Sequence, residues 1–291
     1  MDKQIKGTIL VALSGVCYGT IGYFGTDLFR AGLSVTDLLF WRFAGSVLLM
    51  LPLLPVFLKA KFNAYQWQTL GLFFVLGAIC YGGGTVLYFQ SGFMIGTGLA
   101  MVLFFTYPLL VVAWSAAVQK RWPNWVTWLS LLLIVVGCIM IGSGDAARVN
   151  WEGIILAVIS GMAYGVYILA SKNRAGVVTP LLATFTVCLG NVAGFVIYIL
   201  AMGQVFYVPQ SAPMIWNMFL FSLVGTVLPV LLLLQGVKLI SATKTAIISV
   251  LEPVTVLLVG VMLLGEPVSL VQAVGAVVIL SSALVIQVAR D

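Results

Sequence analysis

The chain has 291 residues, of which 62% are hydrophobic and only 8% are charged, and its mean hydropathy is +1.17. A soluble domain carries about 25% charged residues on average, so this composition excludes a soluble protein and indicates a polytopic membrane protein. The net charge of +6 comes from bases spread along the whole chain, which form no patch for nucleic acid. Histidine is absent from the sequence, which excludes histidine triads, histidine metal sites and histidine proton relays.

Ten apolar stretches of about the length that a helix needs to cross a bilayer follow one another along the chain. They cover residues 7–29, 36–58, 69–90, 96–118, 125–142, 152–171, 181–201, 216–234, 242–263 and 268–289. The first is longer than a signal peptide and lacks a small-residue cleavage site, so we expect it to be a retained span. The intervening loops are too short for a soluble domain.

The distribution of positive charge supports this count and sets the orientation. With the N-terminus in the cytoplasm, only Arg30 and Arg148 lie outside, and Arg42 falls within the second span. The inner side then collects Lys3, Lys6, Lys59, Lys61, Lys120, Arg121, Lys172, Arg174, Lys238, Lys244 and Arg290. Cytoplasmic loops carry an excess of lysine and arginine. The sequence therefore predicts a ten-helix protein of the cytoplasmic (inner) membrane with both termini in the cytoplasm.

The two halves of the chain resemble each other. Gly7–Gly19 reads GTILVALSGVCYG and Gly153–Gly165 reads GIILAVISGMAYG, with seven of thirteen positions identical. Gln90 corresponds to Gln235, and the pair Tyr107-Pro108 corresponds to Glu252-Pro253, at almost the same offset. A steady offset indicates a duplication, so we expect one five-helix repeat in residues 1–145 and another in 146–291. Because five spans are an odd number, the second repeat is inverted, as in transporters with alternating access.

Several segments resemble the EamA domains of the drug/metabolite transporter superfamily. They are LEPV at Leu251–Val254, GEP at Gly265–Pro267 with the following Gly275, WRF at Trp41–Phe43, and FFTYPLLVV at Phe104–Val112. This resemblance covers nearly the whole chain. It implies a ten-helix carrier of amino acids or other small metabolites, often directed outward.

Three charged residues are candidates for coupling or gating. Glu252 is the one carboxylate that the predicted spans place far from a membrane surface, so it is either a proton- or cation-binding group or a polar cap beside Pro253. Arg42 lies about five residues inside the second span. It either extends to the outer interface or anchors a substrate carboxylate or pairs with Glu252. Lys244, at the inner start of the ninth span, is open to the same two interpretations.

The candidate substrate site is aromatic and polar. Tyrosines in the interior of spans favour a wet cavity over lipid because the phenol needs a hydrogen-bond partner, and packing between helices is the alternative. The substrate-binding candidates are Tyr18, Tyr81, Tyr88, Tyr107, Tyr164, Tyr167, Thr226, Gln90 and Gln235. We expect Tyr18 and Tyr164, which hold equivalent places in the two repeats, to face each other. The two glutamines end spans three and eight, at a gate or at the interface.

Helix breaks are expected at matching places in the two halves. Gly82, Gly83 and Gly84 interrupt the third span, and Pro229 follows a glycine in the eighth. Pro108 and Pro253 occupy equivalent positions in the fourth and ninth spans. Such paired interruptions point to the substrate site of a transporter, so spans one, three, four, six, eight and nine should form the cavity wall.

These features favour a secondary transporter over the other membrane classes. No catalytic motif is visible, so we expect no enzyme, and no filter motif suggests a channel. The expected partners are a small-molecule substrate and the lipid bilayer, without nucleic acid, cofactor or metal, and a monomer is compatible with the sequence. Export of amino acids or related metabolites is the favoured function. Efflux of hydrophobic cations, with Glu252 as counter-charge, is the alternative.

Overall fold

The structure is a computed structural model that describes residues 3–53, 55, 61–120, 122–142, 150–203, 205, 207–265 and 268–288. These residues form helices and contain no β-strand. Eight helices among them are long and apolar enough to cross a membrane. They are Lys3–Gly25, Ala64–Ile95, Thr97–Val118, Trp125–Gly142, Trp151–Asn173, Pro180–Ala201, Ala212–Leu239 and Ala242–Leu263.

Several of these spans are divided by short irregularities, which gives fifteen α-helices in the described residues. In the first half they are α1 (Lys3–Gly19), α2 (Ile21–Arg30), α3 (Val35–Met50), α4 (Ala64–Val75), α5 (Gly84–Ile95), α6 (Thr97–Phe104), α7 (Tyr107–Gln119) and α8 (Trp125–Gly142). In the second half they are α9 (Trp151–Asn173), α10 (Pro180–Ala201), α11 (Ala212–Ser222), α12 (Leu228–Leu239), α13 (Ala242–Ser249), α14 (Leu251–Leu264) and α15 (Leu270–Val288).

Two of the ten predicted spans are not among the eight. The second corresponds to α3 and a 3-10 turn at Leu51–Leu53, and most of its remaining residues lie outside the described part of the chain. Four of the charges used to predict the orientation also lie outside it: Lys59, Arg121, Arg148 and Arg290. The tenth corresponds to α15, whose shorter apolar segment is Leu270–Ser282. The glutamines were expected to end their spans, and this prediction is wrong. The helices continue beyond Gln90 to Ile95 and beyond Gln235 to Leu239, because neither a glutamine nor the glycines at 92 and 236 end a helix here.

Polar caps fix where many helices begin. The side chains of Asn150, Thr179, Ser211 and Ser241 each accept a hydrogen bond from a backbone N–H in the first turn of the following helix. Such caps satisfy N–H groups that have no partner inside the helix. Between α5 and α6 the chain turns at Gly96, whose φ of 86° is open to glycine but strained for other residues.

Irregular helix geometry recurs at matching positions in the two halves. A first π-helical segment, Leu76–Gly83, joins α4 to α5, and a second, Leu223–Val227, joins α11 to α12. The break between α6 and α7 at Phe105 (φ −73°, ψ 11°) has its counterpart 145 residues later at Val250 (φ −69°, ψ 0°), between α13 and α14. The repeated sequence therefore folds into repeated distortions.

Contacts between helices repeat in the same way. Ser14 of α1 donates a hydrogen bond to the carbonyl of Pro229 at 2.8 Å, and Ser160 of α9 donates one to the carbonyl of Gly84 at 2.7 Å. Each acceptor lies just after a π segment, where the regular helix ladder is disturbed. The surfaces of the bundle are apolar, as lipid requires.

Candidate functional site

Five tyrosines meet in the centre of the bundle: Tyr18, Tyr81, Tyr107, Tyr164 and Tyr167. They are called the tyrosine cluster below. They come from α1, the first π segment, α7 and α9, and all are buried. Ring centroids are 5.0 Å apart for Tyr107 and Tyr164, 6.0 Å for Tyr164 and Tyr167, and 5.5 Å for Tyr167 and Tyr81. The hydroxyl of Tyr81 donates a hydrogen bond to that of Tyr18 at 3.2 Å. Residues far apart in sequence thus form one aromatic centre.

Tyr88 lies at the edge of this cluster. Its ring contacts Phe104 edge-on at 5.3 Å between centroids, and Phe104 in turn packs against Tyr164 at 5.6 Å. Both Tyr88 and Phe104 are half-buried, in contrast to the five tyrosines. They form a partly open border to an otherwise enclosed set of rings.

Arg42 of α3 reaches both π segments. Its Nε donates to the Oγ1 of Thr226 at 2.7 Å, and its Nη2 donates to the carbonyl of Gly225 at 2.7 Å. The same Nη2 donates to the hydroxyl of Tyr81 at 3.2 Å. Tyr81 and Thr226 hold equivalent places, 145 residues apart, in the two π segments. A single guanidinium therefore joins the two helix distortions.

Aromatic rings complete the environment of this guanidinium. Its central carbon lies 5.2 Å from the ring centroid of Phe43 and 5.3 Å from that of Phe221. Such contacts stabilise a cation when solvent is absent. Arg42 is only 3% exposed. The interfacial interpretation of Arg42 is therefore wrong, because the acceptors of the π segments hold its side chain inside the bundle.

Glu252, in the first turn of α14, is half-buried. Its carboxylate interacts electrostatically with Tyr88, Tyr107, Tyr164 and Arg42. No hydrogen bond to this carboxylate is formed by the described residues. Glu252 thus lies within electrostatic reach of Tyr88 and of the tyrosine cluster.

The breaks bring backbone close to neighbouring helices. Gly82 and Gly83 end the first π-helical segment and Gly84 begins α5, so the span is distorted here while the three glycines remain helical. A Cβ at Gly84 would touch Ala163 of α9 at 3.4 Å. At the equivalent break in the second half, Pro229 is buried and accepts the bond from Ser14.

The prolines of the fourth and ninth spans also occupy their expected positions. Pro108 and Pro253 are buried in the first turns of α7 and α14, directly after the breaks. Proline donates no backbone hydrogen bond and so releases the carbonyl of the preceding turn. Near the break before Pro108, the carbonyl of Phe104 faces Gly161, where a Cβ would lie 2.6 Å from the oxygen.

Three predicted residues do not join the tyrosine cluster. Gln90 is exposed and Gln235 is half-buried, and the described contacts connect neither to the tyrosines. Lys244 is 3% exposed in the first turn of α13, where its backbone N–H donates to the Oγ of Ser241 at 3.2 Å. Its surroundings are those of a buried helix start.

Sequence reasoning did not single out the serines that hold the breaks. Ser14 and Ser160 are fully buried and bind equivalent carbonyls. Their signal was visible, since both stand in the Ser-Gly pairs that the two halves share. Phe104 was also missed because an aromatic residue in an apolar span has no distinguishing spacing.

The two equivalent half-helices differ in exposure. In α13, Ile247, Ile248 and Ser249 are at most 4% exposed, and the hydroxyl of Tyr107 donates to the carbonyl of Ala246 at 3.2 Å. In the equivalent α6, residues 102–104 are half-buried. The tyrosine cluster is therefore closed where α7 meets α13, and less completely covered beside α6.

The sequence model of the EamA-like transporter family matches this chain twice, over residues 5–143 and 151–288. The chain belongs to the EamA-like transporter family, which lies within the drug/metabolite transporter superfamily. The resemblance inferred from its sequence motifs is thereby confirmed. With the spans described above, membership identifies the chain as a multi-pass membrane protein and a transporter rather than an enzyme.

Related proteins carry matching descriptions. The "Uncharacterized transporter YcbK" of Bacillus subtilis (strain 168) is 22% identical, over 94% of this chain and 90% of the relative. An "Uncharacterized transporter" of Archaeoglobus fulgidus is 27% identical, over 96% and 95%. The "Uncharacterized inner membrane transporter YicL" of Salmonella typhimurium is 23% identical, over 98% and 96%. One crystal structure has the same fold, with a TM-score of 0.76 and 18% identity over 97% of this chain and 96% of that chain.

Proposed function

We propose that this EamA-family transporter moves amino acids or related small metabolites outward across the cytoplasmic membrane by alternating access. The observation that carries the proposal is the buried tyrosine cluster at the breaks of the bundle, which contacts Arg42 and interacts electrostatically with Glu252. A central polar site among interrupted helices is the arrangement found in secondary transporters. Its binding groups suit a small molecule with apolar and charged parts.

Two inverted repeats, 1–145 and 146–291, with five spans each, are part of this proposal. It is supported by the two family matches, by the π segments at equivalent positions, and by the paired bonds of Ser14 and Ser160. Inverted repeats exchange conformations when access alternates. The closed contact of α7 with α13 would then open while the equivalent region of α6 and α14 closes.

The proposed orientation places both termini in the cytoplasm. It is supported by the eleven bases that this arrangement collects on the inner side, against two on the outer side. The description of one relative as an inner membrane transporter agrees with the proposed location. In this orientation the Tyr107–Ala246 contact lies towards the cytoplasm, so the conformation described here is closed on the inner side.

Efflux of hydrophobic cations is the second candidate, favoured by the half-buried Glu252 among aromatic rings. Arg42 argues against it, because a bound cation would share the tyrosine cluster with a buried positive charge. A zwitterion avoids this conflict, since it offers one charge to each residue. We therefore favour amino acids and related compounds.

Transport by the purified protein in liposomes tests the function. Each labelled amino acid is loaded inside and its release measured, with protein-free liposomes as the control. The proposal predicts saturable release of at least one amino acid that tetraphenylphosphonium does not inhibit competitively. Release that rises linearly with concentration would exclude a carrier, and competition by tetraphenylphosphonium would favour the cation alternative.

A further inference from the structure

Arg42 brings a full positive charge into the interior of the bundle. Among the described residues no carboxylate forms an ion pair with it, and its acceptors are two hydroxyls and one carbonyl. A buried charge without a partner is costly. Inside a membrane protein, such residues mark substrate or ion pathways. The arrangement therefore calls for an anionic ligand at some stage of transport.

The two shortest hydrogen bonds of the guanidinium lie along one of its edges. Its Nε donates a hydrogen bond to the Oγ1 of Thr226, and its Nη2 donates one to the carbonyl of Gly225, each at 2.7 Å. The faces of its plane lie near Phe43 and Phe221. These contacts fix both the position and the tilt of the group before any ligand arrives, which lowers the cost of ordering it on binding.

The opposite edge of the guanidinium is largely free. Nη1 has no acceptor among the described residues, and Nη2 makes its second bond to the hydroxyl of Tyr81 at the longer distance of 3.2 Å. An edge with two parallel N–H groups matches a carboxylate, which accepts both bonds at once. The Tyr81 hydroxyl lies where it can donate to the same carboxylate once it leaves Tyr18.

Glu252 provides a complementary charge within electrostatic reach of the same rings. Its carboxylate interacts electrostatically with Tyr107, Tyr164 and Arg42, and among the described residues it forms no ion pair with the guanidinium. Tyr81, which accepts a hydrogen bond from Arg42, and Tyr164, which interacts electrostatically with Glu252, have ring centroids 6.4 Å apart. A cation beside Glu252 would also contact ring faces, which favour positive charge.

We propose that Arg42 is the anchor for the carboxylate of a zwitterionic substrate whose ammonium group is directed towards Glu252. The inference rests on the proposed transport of amino acids and assigns the orientation of the substrate in the site. The bonds of Arg42 to Thr226 and Gly225 remain in place when substrate binds, and the substrate carboxylate takes the free edge of the guanidinium.

The unmodified protein provides the first test. Binding of each protein amino acid and of its α-carboxamide is measured by displacement or thermal shift with protein purified in detergent. The carboxamide keeps the ammonium group and the side chain but lacks the anion. Because a charged hydrogen-bonded group is worth about ten- to a hundredfold in affinity, at least one amino acid should bind at least about tenfold more tightly than its carboxamide. If no amino acid exceeds its carboxamide, the proposal is overturned.

Arg42→Gln tests the residue itself. In this variant the amino acid should lose affinity until it binds no better than its carboxamide, whose own affinity changes little. Arg174→Gln is the matched control, because Arg174 also donates to a threonine, Thr69 at 3.3 Å, and lies over the ring of Tyr65, but at the end of α9. It should keep the full discrimination. Equal loss of both ligands in Arg42→Gln would assign Arg42 a purely structural role.

Arg42→Lys covers the case in which the glutamine variant does not fold. Lysine keeps the charge but lacks the two parallel N–H groups of the guanidinium. The ratio of the affinity for the amino acid to that for its carboxamide should therefore fall below the wild-type value and remain above one. An unchanged ratio would contradict the proposed contact of the carboxylate with two N–H groups of Arg42. Transport separates this inference from the proposed function. Binding without release from liposomes would refute the transport proposal alone. Release at the same rate for an amino acid and its carboxamide would refute the role of Arg42 alone.

Discussion

Arg42 donates a hydrogen bond from its Nε to the Oγ1 of Thr226 at 2.7 Å, across 184 positions of the sequence. The bond joins α3 to the second π segment, while the bond to Tyr81 joins α3 to the first. The two distortions that divide the bundle are therefore held by one side chain. This linkage gives a local change in the site a direct route to both halves.

Replacing Thr226 with valine removes this acceptor without changing the shape of the side chain. Because the bond involves a charged donor in a buried place, we expect a loss of about 1.5–3 kcal/mol in stability and weaker substrate binding. Thermal unfolding in detergent and the KM of transport measure the two effects. Thr226→Ser, which keeps the hydroxyl, should restore both. If valine and serine behave alike, the bond contributes nothing to the site.

Gly161 provides a steric test of the break between α6 and α7. A Cβ there would lie 2.6 Å from the carbonyl oxygen of Phe104, so Gly161→Ala must displace backbone. Overpacking of this kind costs about 1–3 kcal/mol, and we expect lower thermal stability and slower transport. Gly165→Ala, one turn further along α9, is the control, because its Cβ would meet Val111 at an ordinary 3.5 Å. Equal tolerance of both substitutions would show that α6 and α9 are not in tight contact.

The serines of the two repeats should have equal and separable effects. Ser14→Ala and Ser160→Ala each remove one bond between helices, worth about 0.6 kcal/mol in membrane proteins. Thermal unfolding of the single and double variants measures their additivity. Ser281→Ala, whose Oγ bonds only within α15 to Val277 at 2.8 Å, should leave stability unchanged. A large difference between the two single variants would argue against equivalent roles for the repeats.

Glu252→Gln tests whether the carboxylate couples transport to protons. If it does, the variant should lose the dependence of the rate on pH that the wild type shows, and its exchange should also be slower because the substrate ammonium loses its counter-charge. The charged and titratable groups that interact with Glu252 are Arg42, Tyr81, Tyr88, Tyr107 and Tyr164. Tyr88→Phe serves as control for changes in these neighbours. A glutamine variant with normal transport and normal pH dependence would exclude coupling through Glu252.

The orientation can be checked with single cysteines in a background in which the four native cysteines are serine. Lys3, at the start of α1, and Ala31, after α2, are both exposed. In intact cells a membrane-impermeant maleimide should label Ala31→Cys and leave Lys3→Cys unlabelled. Permeabilised cells should show labelling at both. The reverse pattern in intact cells would invert the proposed topology.

The sequence predicted the periodic and punctuated features well. Proline and glycine act locally, so the breaks near Pro108, Pro229 and Pro253 were visible from residue type and spacing alone. The end of a span at Gln90 was misplaced because a single glutamine does not stop a helix when apolar residues follow. Helix ends in lipid depend on the next true breaker, which here is Gly96.

The position of Arg42 could not be obtained in this way. Counting along α3 placed it close enough to the interface to extend into water, and nothing in the sequence tells which way a long side chain points. Its acceptors, Gly225 and Thr226, come from the other half of the chain. The tyrosines could be chosen as a group, but their mutual contacts arise only when α1, α7 and α9 pack.

Counterflow tests the central claim most directly. Liposomes that contain the purified protein are loaded with an unlabelled amino acid that binds, and a trace of the labelled compound is added outside. An alternating-access carrier predicts a transient accumulation of label above equilibrium, which should disappear when the carboxamide replaces the internal amino acid. Uptake that rises directly to equilibrium without an overshoot would contradict the proposed carrier.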